Sequence, residues 1–265
     1  AQALNIDIDE TVDLTCQHQP DYVGITSTTS TILSAEKLAK ALKRRIPGIK
    51  ILLGGHHISA LREEVMHRCP DFDIGIVGEG EQTLEELLEV VKNAADLRLV
   101  NGIIAREGNR ISVTNQRDLI DNIDNLSFPA FDLLPDISSN YHIPLQSKKN
   151  SPSFSLITSR GCRGQCVFCD RSVFGNRVRF NSAEYIMEML RYIYKRGIRC
   201  VLFEDDDFLV SKNRLAKLRD LIIKEDIKMS WSCCSRIDTF DRESLQIAKE
   251  AGCWQIMVGV ESAER

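Results

Sequence analysis

Residues 159–171 read SRGCRGQCVFCDR and place Cys162, Cys166 and Cys169 at the spacing Cys-x3-Cys-x2-Cys. Iron–sulfur clusters are held by cysteine thiolates, usually four of them. Three local thiolates therefore imply a cluster with one iron left for a ligand that is not protein. Gly161 and Gly164 loosen the loop so that the thiolates can turn toward one centre. Two other chemistries use the same residues. Zinc prefers four ligands in paired Cys-x2-Cys knuckles, whereas only one such knuckle is present and the nearest later cysteine, Cys200, falls inside an apolar strand. A disulfide pair leaves one cysteine over and suits an oxidising compartment. Spacing and the preceding apolar run, residues 154–158, favour the cluster.

The pattern Cys162-x3-Cys166-x-Phe168-Cys169 after a strand resembles the signature of radical S-adenosylmethionine enzymes, including the aromatic residue before the last cysteine. The resemblance implies a [4Fe–4S] cluster held by the three cysteines, with its open iron chelated by the amine and carboxylate of S-adenosylmethionine. It also implies one-electron cleavage of that cofactor to a 5′-deoxyadenosyl radical, Phe168 beside the cofactor, and an electron donor such as flavodoxin or ferredoxin. The cofactors would carry the chemistry, while protein supplies ligation, orientation and exclusion of water.

The elements that must position these groups alternate strand and helix. Residues 21–26, 49–53 and 72–77 are expected as strands. Ala35, Leu38 and Leu42 mark a helix ending near Pro47, and a further helix is expected around residues 58–67. Thr83 and Glu86 have the spacing of a capping box, opening a helix with Leu84, Leu87, Leu88 and Val91 on one face. Alternation of this kind means a parallel sheet with helices on its faces, and ligands lie outside the carboxyl ends of such strands. A dinucleotide site fails there, because Gly78-x-Gly80 is followed by Thr83 where a third glycine belongs. Residues 101–113 read as a hairpin turning at Gly108-Asn109.

The run from residue 20 to about 92 resembles the cobalamin-binding domain found ahead of many radical S-adenosylmethionine domains. That resemblance implies a flavodoxin-like, Rossmann-like three-layer α/β fold. Ser27, Thr28, Thr29, Gly54, Gly55 and Gly78 would then line a slot for the cofactor's nucleotide tail, and His57 would match the histidine of the family's Gly-Gly-x-His loop. No histidine stands in the Asp-x-His-x2-Gly context of cobalamin mutases, so base-off cobalamin without a histidine below the cobalt is expected.

Residues 121–152 shift to Asn, Ser, Pro and Lys and read as a linker anchored by Phe128-Pro129-Ala130-Phe131. Beyond the cysteine loop, Ser182 opens a helix bearing Ile186, Leu190 and Ile193, and residues 200–203 form a strand that ends in Glu204-Asp205-Asp206-Asp207. Phe203-x-Asp205-Asp206-x-Phe208 resembles the second-strand motif of the cobalamin-type radical enzymes, where Asp205 and Asp206 would face the cofactor's amine. Leu215, Leu218 and Ile222 give the next helix. Residues 228–234 are expected as a strand, 241–251 as a helix and 255–260 as a fourth strand. Arg236 is expected to pair with the methionine carboxylate, and Glu261 could accept from ribose hydroxyls. Cys233 and Cys234 are read as apolar fillers.

The expected organisation is α/β throughout: residues 1–120 cobalamin-binding-like with the first strand missing, 121–152 linker, and 153–265 a partial radical S-adenosylmethionine (β/α) barrel of four units. The chain opens Ala1-Gln2 without methionine, ends at Arg265 soon after a strand, and is expected to be a fragment. Hydrophobic content of 43% with 27% charged residues belongs to a globular chain. A net charge of −4 offers no basic footprint for nucleic acid, and apolar runs fall short of a membrane span. Nine cysteines outside any short secreted framework fit a reducing cytoplasm. The function expected is radical activation of an unreactive carbon of a small molecule, with methyl transfer favoured. A cobalamin-assisted cyclisation or oxidation, or a non-catalytic zinc module, are the alternatives.

Overall fold

A computed structural model of the chain describes residues 4–262. Ala1, Gln2 and Arg265, on which the expectation of a fragment rests, lie outside the described residues. Contacts gather the chain into two units, Ala1–Ile120 with Gln165–Gly175, and Asp121–Gly164 with Asn176–Arg265.

In the first unit, Asp7 caps α1 (Ile8–Gln17) by accepting from Glu10 N–H, and apolar residues at helical spacing define α2 (Ile32–Arg45), which buries Ile32, Ala35, Ala39 and Leu42. Helix α1 has a weak apolar stripe, with Val12 its one buried residue, and sequence periodicity did not single it out. Strands β1 (Tyr22–Thr26), β2 (Lys50–Gly54) and β3 (Ile74–Ile76) are parallel. Strands β4 (Ile103–Glu107) and β5 (Arg110–Val113) add the antiparallel hairpin, giving the order β1-β2-β3-β4-β5. Ile51, Leu52 and Leu53 are all buried, because both faces of β2 are covered. Ile51 and Leu53 pack with residues of α1, α2, α3 (His56–Leu61) and α4 (Glu63–Arg68). Leu52 and Ile74 pack with Leu87 of α5 (Glu81–Lys92) on the other face. The result is three layers.

Two local expectations are corrected here. The helix expected around residues 58–67 is broken at Arg62, whose φ of 49° ends α3 and starts α4. Thr83 and Glu86 form no capping box: α5 begins at Glu81, its N-cap is Gly80, and no side chain caps it. Thr83 is instead fully buried, accepting from Arg117 Nε at 2.8 Å, and Glu86 pairs with the same guanidinium. A charged tertiary partner outcompetes a local cap worth about 1 kcal/mol. Of the apolar face expected on α5, Leu87 is buried while Leu84 and Leu88 are exposed.

The second unit carries β6 (Ser153–Leu156), β9 (Cys200–Phe203), β10 (Ser230–Cys234) and β11 (Cys253–Met257) in one parallel sheet, order β11-β10-β9-β6. A two-residue ribbon, β7 (Ser159–Arg160) with β8 (Arg179–Phe180), brackets the cysteine loop. Helices α7 (Ala183–Lys195), α8 (Lys212–Lys224) and α9 (Arg242–Glu250) cross between strands, and Ser182 caps α7 by accepting from Tyr185 N. Their buried faces enclose Phe203, Phe208 and Trp231. Strand β11 starts two residues earlier than expected, so residues 258–262 lie beyond it. Residues 121–152, which include α6 (Ile137–Asn140), are packed rather than free. Phe128 and Phe131 sit among Phe154, Tyr185 and Tyr192, with ring centroids 5.5–6.0 Å apart. Ile143 packs with Cys200 and Leu202 in a separate cluster, and Ser232 Oγ donates to Ser147 O at 3.0 Å.

Candidate functional site

In the first unit the loops after β1, β2 and β3 are stitched together by backbone and hydroxyl groups. Ser27 N–H donates to Gly54 O at 3.0 Å, and His57 N–H donates to Ser27 O at 3.2 Å. Ser59 Oγ donates to Gly55 O at 2.9 Å and accepts from Gly78 N–H at 3.0 Å, joining the second loop to the third. Gly55 (φ 99°) has no room for a side chain, since a Cβ there would lie 2.6 Å from Ser27 O. Gly54 and Gly78, by contrast, face open space. His57 is buried with its Nδ1 3.1 Å from Thr29 Oγ1, while Thr28 and Thr29 are exposed. Ser27 is 3% exposed, and its hydroxyl is buried without a hydrogen-bond partner.

That orphaned hydroxyl, beside glycines that open onto space, is the cradle a polar, backbone-hugging cofactor tail requires. Ser59 was not singled out in the sequence, yet it ties two of the three loops. Ser59→Ala is expected to remove the acceptor of the part-buried Gly78 N–H and to destabilise the first unit by about 1 kcal/mol in a urea titration. An unchanged midpoint would show that the stitch is dispensable.

A cavity of about 330 Å³ adjoins Gly78 and is lined also by Arg62, Glu79, Arg117 and Arg171. Glu79 is 6% exposed and accepts from Ile120 N–H at 2.8 Å. Sequence reasoning passed over Arg62, Glu79 and Arg117, because no local pattern distinguishes them from surface charges.

The cysteine loop leaves the sheet at Thr158 and Ser159. Cys162 Sγ accepts from Gly164 N–H at 3.3 Å, and Gly161 holds φ 86°. Cys166 is half-buried and Cys169 exposed, and neither is in a disulfide. Val167 and Phe168 stand in solvent. Among the described residues no three His, Cys, Asp or Glu side chains are drawn around a common centre. The donor set still fits an iron–sulfur cluster: three unoxidised thiols on one glycine-bearing loop, one already accepting an amide proton. Cys200 and Cys233 are buried in the core. Donation of a hydrogen bond to the Cys253 sulfur, together with burial, pushes the Cys233 thiol far up, so it stays protonated.

Arg236 forks onto Asp238 at 3.0 and 2.7 Å, and its Nη1 lies 2.8 Å from where a Cβ on Gly164 would stand. Glu261 is exposed with φ 56°. Asp206 is exposed, but Asp205 is 1% exposed with both oxygens engaged by Thr158, Ser159 and Arg214. The expectation that Asp205 faces a cofactor amine is therefore corrected, because the protein itself saturates that carboxylate.

Layered α/β sheets with glycine-bearing loops at their strand ends, one bearing a cysteine triplet, mark a class of two-domain cofactor proteins. Residues 2–88 match the B12 binding domain family and residues 156–265 the Radical SAM superfamily. The chain belongs to the radical S-adenosylmethionine proteins that carry a B12-binding domain.

It is 35% identical over 246 residues, 92% of its length, to an uncharacterized methyltransferase of Pyrococcus horikoshii, of which it covers 52%. It is 29% identical over 231 residues to the hopanoid C-3 methylase of Methylococcus capsulatus, covering 86% of this chain and 42% of that protein. It is 25% identical over 252 residues to the anaerobic magnesium-protoporphyrin IX monomethyl ester cyclase of Rubrivivax gelatinosus, covering 92% and 44%. The chain thus spans about half the length of these relatives or less. Among solved structures, it resembles the cobalamin-dependent S-adenosylmethionine radical enzyme OxsB with a TM-score of 0.75 at 20% identity, covering 97% of this chain and 38% of that one. It resembles the radical S-adenosylmethionine methyltransferase TsrM of Kitasatospora setae with a TM-score of 0.74 at 16% identity, covering 97% and 51%. At these identities the likeness establishes the fold. No helix among the described residues is long and apolar enough to cross a membrane.

Proposed function

We propose that this protein is a cobalamin-dependent radical S-adenosylmethionine enzyme, with methyl transfer to an unreactive carbon of a small molecule as its outcome. The observation that carries the reading is the pairing, in one chain, of the cysteine loop with the Ser27–Gly55–Ser59–Gly78 cradle. Methyl transfer is favoured over cyclisation because identity to the methyltransferase, 35%, exceeds the 25% to the cyclase.

Cys162, Cys166 and Cys169 would hold a [4Fe–4S] cluster. Arg236, whose guanidinium already grips one carboxylate, would take the methionine carboxylate; Asp206 would take the amine, Glu261 the ribose, and Phe168 would lie beside the cofactor. Ser27, Thr28, Thr29, Gly54, Gly55 and Gly78 would line the cobalamin tail, with Ser27 Oγ gaining the hydrogen bond it lacks. When bound, these groups supply one-electron cleavage of S-adenosylmethionine and methyl transfer through cobalt. The electron would come from a flavodoxin- or ferredoxin-type donor.

Anaerobic reconstitution with iron, sulfide and hydroxocobalamin tests the reading. A brown protein retaining iron and sulfide in equal amounts, with cobalamin after gel filtration, is the expected result; zinc without sulfide overturns it. His57 is held inside its loop by Thr29, so the reduced cobalamin is expected to be base-off. Nitrogen splitting in its paramagnetic resonance spectrum would show a histidine below the cobalt instead.

A further inference from the structure

The acidic run at the end of β9 alternates in burial. Asp205 and Asp207 are 1% and 4% exposed, whereas Glu204 and Asp206 face solvent. These four acids occupy the irregular stretch and turn that follow the last strand residue, Phe203. Strand β9 lies between β6 and β10 in the sheet, and each buried acid turns to a different neighbour. Asp205 reaches the loop after β6: Oδ1 accepts from Thr158 N–H at 2.6 Å, and Oδ2 accepts from Thr158 Oγ1 at 2.8 Å and Ser159 Oγ at 2.6 Å. Arg214 of α8 donates to Asp205 Oδ2 at 3.4 Å and to Thr158 O and Phe208 O at 3.0 Å each, and it lies over the Phe180 ring. Asp207 reaches the loop after β10: Oδ1 accepts from Ser235 Oγ, from Thr239 Oγ1 at 2.9 Å and from Arg236 N–H at 3.3 Å.

We propose that Asp205 and Asp207 are positioning residues, a two-sided bolt on β9 that holds both flanking loops in register. Asp205, with Arg214, fixes the root of the cysteine loop, and Asp207 fixes the loop that carries Arg236. Buried carboxylates persist only where hydrogen-bond donors repay their desolvation. Most of the donors here belong to the flanking loops rather than to the sheet. A loop that must present three thiolates to one centre needs such a root, since ligand placement tolerates only small errors. The cofactor part of this inference rests on the function proposed above; the bolting of the loops does not.

The test uses Asp205→Asn and Asp207→Asn in the full-length protein, each nearly isosteric. The first readout, hydrogen exchange on cofactor-free protein, is independent of any cluster. Asp205→Asn should speed exchange in residues 158–164 by about tenfold or more while residues 235–239 stay protected, and Asp207→Asn should do the reverse. The second readout is reconstitution. Asp205→Asn should retain several-fold less iron and sulfide, whereas Asp207→Asn should keep the cluster but need more S-adenosylmethionine to perturb its paramagnetic resonance signal. Should Asp205→Asn fail to fold, Ser159→Ala and Thr158→Val remove the loop-side hydroxyl donors singly and should show the same local effect, weaker. Uniform acceleration across the unit, or no local change, overturns the bolt. Local exchange as expected in a protein that takes up no cluster supports the bolt and overturns only the function assigned to the loop.

Discussion

Single replacement of Cys162, Cys166 or Cys169 by alanine is expected to abolish retention of iron and sulfide, while Cys200→Ala and Cys234→Ala leave it unchanged. The contrast follows from surroundings rather than from cysteine content. The first three thiols sit on a half-buried to exposed loop, outside the apolar core. Cys200 is fully buried in β9, and burial raises the Cys234 thiol at the end of β10. Burial disfavours the thiolate, and only the thiolate binds metal. With three protein ligands, loss of any one leaves a bidentate loop, so the effect should be all or nothing. Iron and sulfide assays after anaerobic reconstitution and gel filtration measure it. A full cluster in Cys169→Ala would remove that residue from the ligand set and favour a different donor.

Gly55→Ala is the second large effect expected, acting on the other cofactor. At φ 99° an alanine is strained by about 1–3 kcal/mol. Its Cβ would also lie 2.6 Å from Ser27 O and 2.7 Å from Thr26 Oγ1, so the first loop must shift. That movement would carry Ser27 Oγ and the His57 N–H bond with it. A fall of roughly 5–10 °C in melting temperature is expected, together with loss of cobalamin affinity of about a hundredfold or more. Gly54→Ala separates the two consequences. A Cβ at Gly54 meets nothing within 4 Å, so stability should hold while a cofactor lying against that glycine is pushed away. Cobalamin bound equally well by both variants would place the tail somewhere other than this cradle.

The features legible in the sequence are those set by neighbours along the chain. Helices α2, α7 and α8 follow from apolar residues three and four apart. The β4–β5 hairpin follows from Gly108-Asn109, and the cap of α7 from Ser182. The cysteine spacing is likewise local, because one loop must supply every thiolate. Each of these depends on contacts within about one turn or one strand pair, where propensity and periodicity act directly.

Tertiary structure decided what the same residue types do once distant groups compete for them. Thr83 and Glu86 have the spacing of a cap, but Arg117, some thirty residues on, claims both. Asp205 and Asp206 are equivalent as letters. Which one is buried depends on Arg214 and Thr158 arriving at the end of β9. Residues 121–152 look like a tether by composition, yet Phe128, Phe131 and Ile143 find hydrophobic partners that no local rule could supply. The chain alone therefore marked the candidate residues and most of the elements that hold them. The fold determined which polar groups remain open to a cofactor, because a buried charge goes to whichever donors repay its desolvation, and those donors are remote in sequence.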